Sequence, residues 1–121
     1  FRDKKLYDLI AFTVMPNHVH TIFSIGEAKA IDKLHHVGRR ASSPYVVTRI
    51  LENLKWYTAL KSNKILNREG QFWQHESYDH VIREAEELER TIWYVLNNSV
   101  KAALAKTWDE WKWSYVKQGL I

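Results

Sequence analysis

The stretch LYDLIAFTVMPNHVHTIFSI, residues 6–25, decides the fold. Residues 6–14 form a largely apolar run with β-branched and aromatic members. Met15, Pro16 and Asn17 follow, and a second such run covers residues 18–25. Proline presets φ and asparagine tolerates unusual backbone angles, so the pattern predicts a turn between two antiparallel strands. Side chains alternate across a strand. Val19, Thr21, Phe23 and Ile25 therefore share one face, and His18, His20, Ile22 and Ser24 share the other. The two imidazoles point together.

Outward from this hairpin, residues 26–43 are polar and basic with no clear apolar period, which reads as a loop. Ser43 before Pro44 resembles a helix N-cap with proline at the first helical position. Val47, Ile50, Leu51, Leu54 and Thr58 then recur at helical spacing, predicting a helix over residues 44–62. Residues 67–70 should turn. Residues 71–82 read as mostly extended from Phe72, Trp73, Tyr78, Val81 and Ile82, and join the two strands in a small sheet. Glu84, Glu86, Glu87 and Glu89 crowd the start of the next segment, where a helix dipole favours negative charge. Leu88, Ile92, Val95 and Leu96 give it an apolar stripe, predicting a helix over residues 84–104. The aromatic tail, with Trp108, Trp111, Trp113 and Tyr115, should pack down on the domain. So small a sheet calls for a further strand, placed before Phe1 or supplied by another chain.

A chain of 121 residues fits one domain, spanning 1–121, that folds without staples. It has no cysteine, which excludes a disulfide framework and thiolate metal sites and leaves imidazole, amide or carboxylate as metal donors. No apolar run approaches the roughly 20 residues of a membrane span, and no short apolar signal core opens the chain, so a soluble, cytoplasmic protein with no membrane partner is expected. The net charge of +4 is unevenly spread. Residues 29–68 hold nine basic and two acidic residues, a balance suited to a polyanion, while residues 69–90 hold seven acidic and two basic ones.

His18-Val19-His20 can chelate a divalent cation through nitrogen, although two histidines in a strand are commonly just two histidines. Position 22 is isoleucine, which argues against a longer alternating histidine triad. Tyr94 and Asn98, four residues apart, project from one stripe of the second helix. If that stripe faces the histidines, Asn98 offers a carbonyl oxygen and Tyr94 a hydroxyl. The plainer alternative is an interfacial tyrosine beside a polar asparagine.

The hairpin LIAFTVMPNHVHTIFSI resembles the signature of the insertion-sequence-200-like transposases, more specifically the REP-associated tyrosine transposases. LENLKWYTA resembles that family's basic helix, FWQHESYDHVIR its extended segment, and IWYVLNNSVKAAL the helix bearing its nucleophile, with WKWSYV closing the domain. The resemblance covers residues 6–116. It implies a ferredoxin-like α+β sandwich whose antiparallel sheet carries the histidines on a central strand. It implies His18, His20 and Asn98 as ligands of Mg²⁺ or Mn²⁺, and Tyr94 as the nucleophile of a single-tyrosine HUH endonuclease. The substrate it implies is single-stranded DNA with a hairpin, such as a repetitive extragenic palindrome, and it allows a homodimer. Ser99 stands where the family usually has proline and Ala103 where it usually has glycine, which bears on how the helix ends.

Within the basic region Arg39, Arg40, Arg49, Lys55 and Lys61 are expected to bind DNA phosphates, with Arg40 and Lys55 preferred. Trp56 and Tyr57 lie nearby for base stacking, although core packing suits Trp56 better. A free phenol titrates near pH ~10, so the attacking hydroxyl needs a proton acceptor. His75 and His80 are weak candidates, and a packing or hydrogen-bonding role fits each better. A non-cleaving DNA-hairpin-binding regulator of the same fold, and a phosphoesterase using water, are the rival readings.

Overall fold

In a computed structural model, residues 7–25, 43–74 and 78–121 are described, with residues 43–46 described by backbone alone. They group into two compact units: one holds most of the hairpin and everything from His80 onward, the other the long basic helix and the residues that follow it up to Asp79.

In the first unit, β1 (Tyr7–Val14) and β2 (Val19–Ile25) form the expected hairpin. Its turn is closed by the Met15 N–H donating to the His18 carbonyl at 2.8 Å. The third strand, β3 (Ser114–Val116), is antiparallel to β1 and pairs Ala11 with Val116, Phe12 with Tyr115 and Thr13 with Ser114. Phe12 and Tyr115 stack at 5.6 Å on one face. On the other, the fully buried Thr13 hydroxyl meets that of Ser114 at 2.9 Å. The sheet order is β2-β1-β3.

Two expectations are corrected here. The third described strand of the sheet comes from the tail, not from residues 71–82, of which the described ones lie in no strand. Three residues are too few to display period-two alternation, whereas Phe72 and Trp73 reflect side-chain packing near a helix and Tyr78 is exposed. Among the described residues the histidines are also not placed on a central strand. Among the described strands β1 is central because β3 takes its free edge; β2 lies at an edge, and His18 falls in the turn just before it.

Helix α2 (Ala85–Leu96) begins with Glu86 and Glu87 in its first turn and buries Ile92, Val95 and Leu96. These pack with Ala11 and Ile22, bordered by Ile10, Ile82, Leu88, Trp108 and Val116. Full burial of a side chain such as Ile92 or Leu96 contributes about 1.5–3 kcal/mol, so this stripe fixes the helix to the sheet. The helix expected over residues 84–104 is interrupted at Asn97 and resumes as the short α3 (Asn98–Lys101). It then stops in a Schellman cap: the Ala103 N–H donates to Val100 O and the Leu104 N–H to Ser99 O, each at 2.9 Å. Ala103 accordingly has φ of 61°, the left-handed conformation that glycine adopts without a Cβ penalty.

In the second unit, α1 (Ser43–Leu66) runs one turn past its expected end. Ile65 and Leu66 are exposed, so the apolar period that marks a packed helix fades before the helix itself does. Asn67, at φ of 53°, caps it, with Arg68 N–H donating to Asn63 O at 2.9 Å. The turn over residues 67–70 follows. Trp73 then returns to α1, its indole N–H donating to the Thr58 hydroxyl at 2.9 Å.

Candidate active site

Ile22 and His20 share one face of β2, and Ile22 is buried in the cluster that holds α2. Packing Ile22 against that helix therefore carries His20, two residues earlier, to its flank. Tyr94 stands there, next in sequence to the buried Val95. The His20 and Tyr94 rings meet edge to face with centroids 5.7 Å apart, and the His18 and His20 rings do so at 4.9 Å. Three side chains proposed for chemistry thus form one cluster inside a single compact unit. Tyr94 remains 58% exposed, and among the described residues its hydroxyl has no hydrogen-bond partner.

The fourth, Asn98, opens α3 one turn later. Its amide Nδ2 donates to the Tyr94 carbonyl at 2.9 Å, which leaves the amide oxygen as an acceptor. His18 Nδ1 lies 2.6 Å from Asn17 Oδ1. In the tautomer that donates from Nδ1, the Nε2 lone pair is left for a ligand. Burial, and then the neighbouring His18 charge, hold the His20 pKa below its ordinary 6.5, so the ring is neutral at pH 7. Imidazole nitrogens and an amide oxygen are donors that suit a divalent cation with an open coordination sphere. Among the described residues no third His, Cys, Asp or Glu joins them.

One further candidate escapes the sequence reading. Arg90 lies one turn before Tyr94 on the same side of α2 and is exposed. Glu87, the carboxylate three residues before it, is engaged by His80, whose Nε2 is 2.5 Å from Glu87 Oε1. Arg90 itself takes part in neither of the ion pairs formed among the described residues. The four-residue spacing to Tyr94 was the available signal. His80 thus serves a carboxylate, as a hydrogen-bonding role predicts; His75 lies outside the described residues.

Of the residues expected to bind DNA, Arg39 and Arg40 lie outside the described residues. Arg49, Lys55 and Lys61 are all on α1, but at intervals of six residues they point about 120° apart and do not share a face. Lys55 Nζ reaches the Gln74 carbonyl at 3.4 Å, and Lys61 Nζ lies 5.7 Å from the Tyr57 ring centroid. Trp56 is 66% exposed, which overturns core packing as its role. The reading failed because an aromatic residue in a helix was weighed by type, before its side of the helix was known.

Over 109 residues the chain is 24% identical to a protein of Haemophilus influenzae that carries the provisional name REP-associated tyrosine transposase. The chain is similar to a transposase. The alignment covers 89% of this chain and 58% of that relative, so the chain spans little more than half of its length. No protein-family model matches the chain, and no solved structure does.

Proposed function

We propose that this chain is the catalytic region of a metal-dependent tyrosine transposase of the HUH type, with a ferredoxin-like fold, that cuts and rejoins single-stranded DNA at hairpin elements. The observation that carries the reading is the contact of Tyr94 with His20, beside His18. The name of the distant relative supports it.

In this reading the Tyr94 oxygen attacks the scissile phosphorus. The P–O bond to the 3' oxygen breaks, the phenolic proton is lost, and the DNA 3' oxygen takes up a proton. The products are a 5'-phosphotyrosine and a free 3'-hydroxyl. One phosphodiester bond is exchanged for another, so a different 3'-hydroxyl can reverse the step without ATP. Exposure of Tyr94 admits a strand, and fixing the phosphate beside it replaces a bimolecular encounter by a local one. Arg90, one helical turn away, offers a forked cation to the same phosphate. A Mg²⁺ or Mn²⁺ ion held by His18, His20 and Asn98 would supply Lewis-acid polarisation of a non-bridging oxygen. The cations of α1 hold the flanking strand by releasing its counterions.

The test incubates the protein with labelled hairpin DNA and Mn²⁺ and looks for a denaturation-resistant adduct. It should form with the wild type and vanish in Tyr94→Phe. Cleavage without an adduct would make water the nucleophile, and binding without cleavage would make the chain a regulator.

A further inference from the structure

We propose that the cleft between α1 and the residues that return to it is a binding site for one unstacked base of single-stranded DNA. The cleft has a volume of about 300 Å³ and is lined chiefly by Lys55, Trp56, Ala59, Phe72, Trp73 and Gln74. That is the small end of ligand clefts, wide enough for a flat ring system. All of it lies within one compact unit.

Its walls are fixed before any ligand arrives. Trp73 is held by its N–H bond to Thr58 at 2.9 Å and by edge contact with Phe72 at 5.4 Å. The backbone leading to it is tied by Asn63 Nδ2 to Gly70 O at 2.9 Å, Arg68 to Gln71 O at 3.1 Å and Gln71 Nε2 to Trp73 O at 2.8 Å. Opposite them Trp56 stays two-thirds exposed. Leu60, one turn later on the same side of the helix, is exposed as well, and a contiguous apolar patch of this kind marks an interaction surface.

Charge identifies the occupant. Helix α1 carries Arg49, Lys55, Lys61 and Lys64 against the single acid Glu52. Aromatic faces set among cations are what a single strand requires: the cations follow its phosphates and the rings stack on bases that a duplex would hide. The ammonium of Lys55, at the rim, has donors to spare beyond its long bond to Gln74 O. An apolar protein partner would not call for this excess of cations. The choice of DNA rests on the proposed function; the stacking site does not.

The measurement is fluorescence anisotropy of a labelled oligothymidine, in EDTA so that metal-dependent cleavage is suppressed. Trp56→Ala should weaken binding roughly 5- to 150-fold, the range for losing one stacked base, while Trp56→Phe retains most of the affinity. An abasic strand of equal length should bind the wild type weakly and distinguish little between wild type and Trp56→Ala. Circular dichroism of each variant establishes that it is folded. Equal binding of oligothymidine by wild type and a folded Trp56→Ala would overturn the proposal. So would undiminished binding of the abasic strand, or Trp56-dependent self-association in sedimentation, which would assign the surface to a second copy. If the wild type forms the covalent adduct but Trp56→Ala binds normally, the cleft falls alone. If no adduct forms and Trp56 still governs strand affinity, the cleft stands and the transposase reading falls.

Discussion

His20 is half-buried beside a second imidazole, and burial first, then the His18 charge, lower its pKa from 6.5. The unfolded chain therefore binds this proton more readily than the folded one. Stability is full above pH 6.5 and declines as pH falls from there through the lower folded-state value. Urea unfolding between pH 7.5 and 5 should show a steeper loss for the wild type than for His20→Gln; parallel curves would contradict the assignment. Ala103 supports a second prediction. An L-residue at φ of 61° bears a left-handed penalty of about 1–2 kcal/mol, partly offset for glycine by its greater freedom in the unfolded chain. Ala103→Gly should raise the unfolding midpoint by a few degrees without changing DNA affinity. At this scale the sequence was informative where period and chemistry coincide. Strand alternation put His18 and His20 on one side and four-residue spacing put Tyr94 with Asn98, but no local pattern reveals that Arg90 forms no ion pair among the described residues.

Helix α2 joins the packing to the chemistry. Ile92, Val95 and Leu96 face the sheet, and the side that carries Arg90 and Tyr94 is left at its margin, with Asn98 following at the start of α3. Leu96→Ala should cost about 2–5 kcal/mol in denaturant unfolding, because the fully buried side chain leaves a cavity beside Ala11 and Ile22. Arg90→Ala should leave that unfolding midpoint unchanged, since the residue is exposed and outside the ion pairs. It should slow adduct formation by about 10- to 150-fold, as expected for losing one charge-assisted hydrogen bond of about 1.5–3 kcal/mol. Normal adduct rates in Arg90→Ala would remove it from the site. Elements with a strong period, the hairpin and the two long helices, were legible in the sequence. β3 was not, because a three-residue strand is specified by its partner β1 and by bonds such as the Trp111 indole Nε1–H to Val14 O at 3.0 Å. The interruption at Asn97 was also passed over, although Asn97, Asn98 and Ser99 are weak helix formers, because the apolar stripe on either side outweighed them.

At the scale of the whole chain, charge and chemistry are segregated. The block with nine basic residues holds α1 and its aromatics, while the histidines and Tyr94 belong to the other compact unit. The charge tally revealed this division; the exposure of Trp56 did not follow from it, since composition does not say which side of a helix meets solvent. Under the proposed function this gives a division of labour, with affinity set by one unit and bond exchange by the other. His18→Ala should therefore abolish Mn²⁺-dependent adduct formation while changing strand affinity little. Lys61→Ala should do the reverse, lowering affinity and reducing the slope of log affinity against log salt by about 1, as loss of one phosphate contact requires. Both variants belong in one salt titration with paired adduct gels. If His18→Ala lost affinity and cleavage together, the metal side chains would also be principal DNA anchors, and the assignment of binding to the α1 cations would fail.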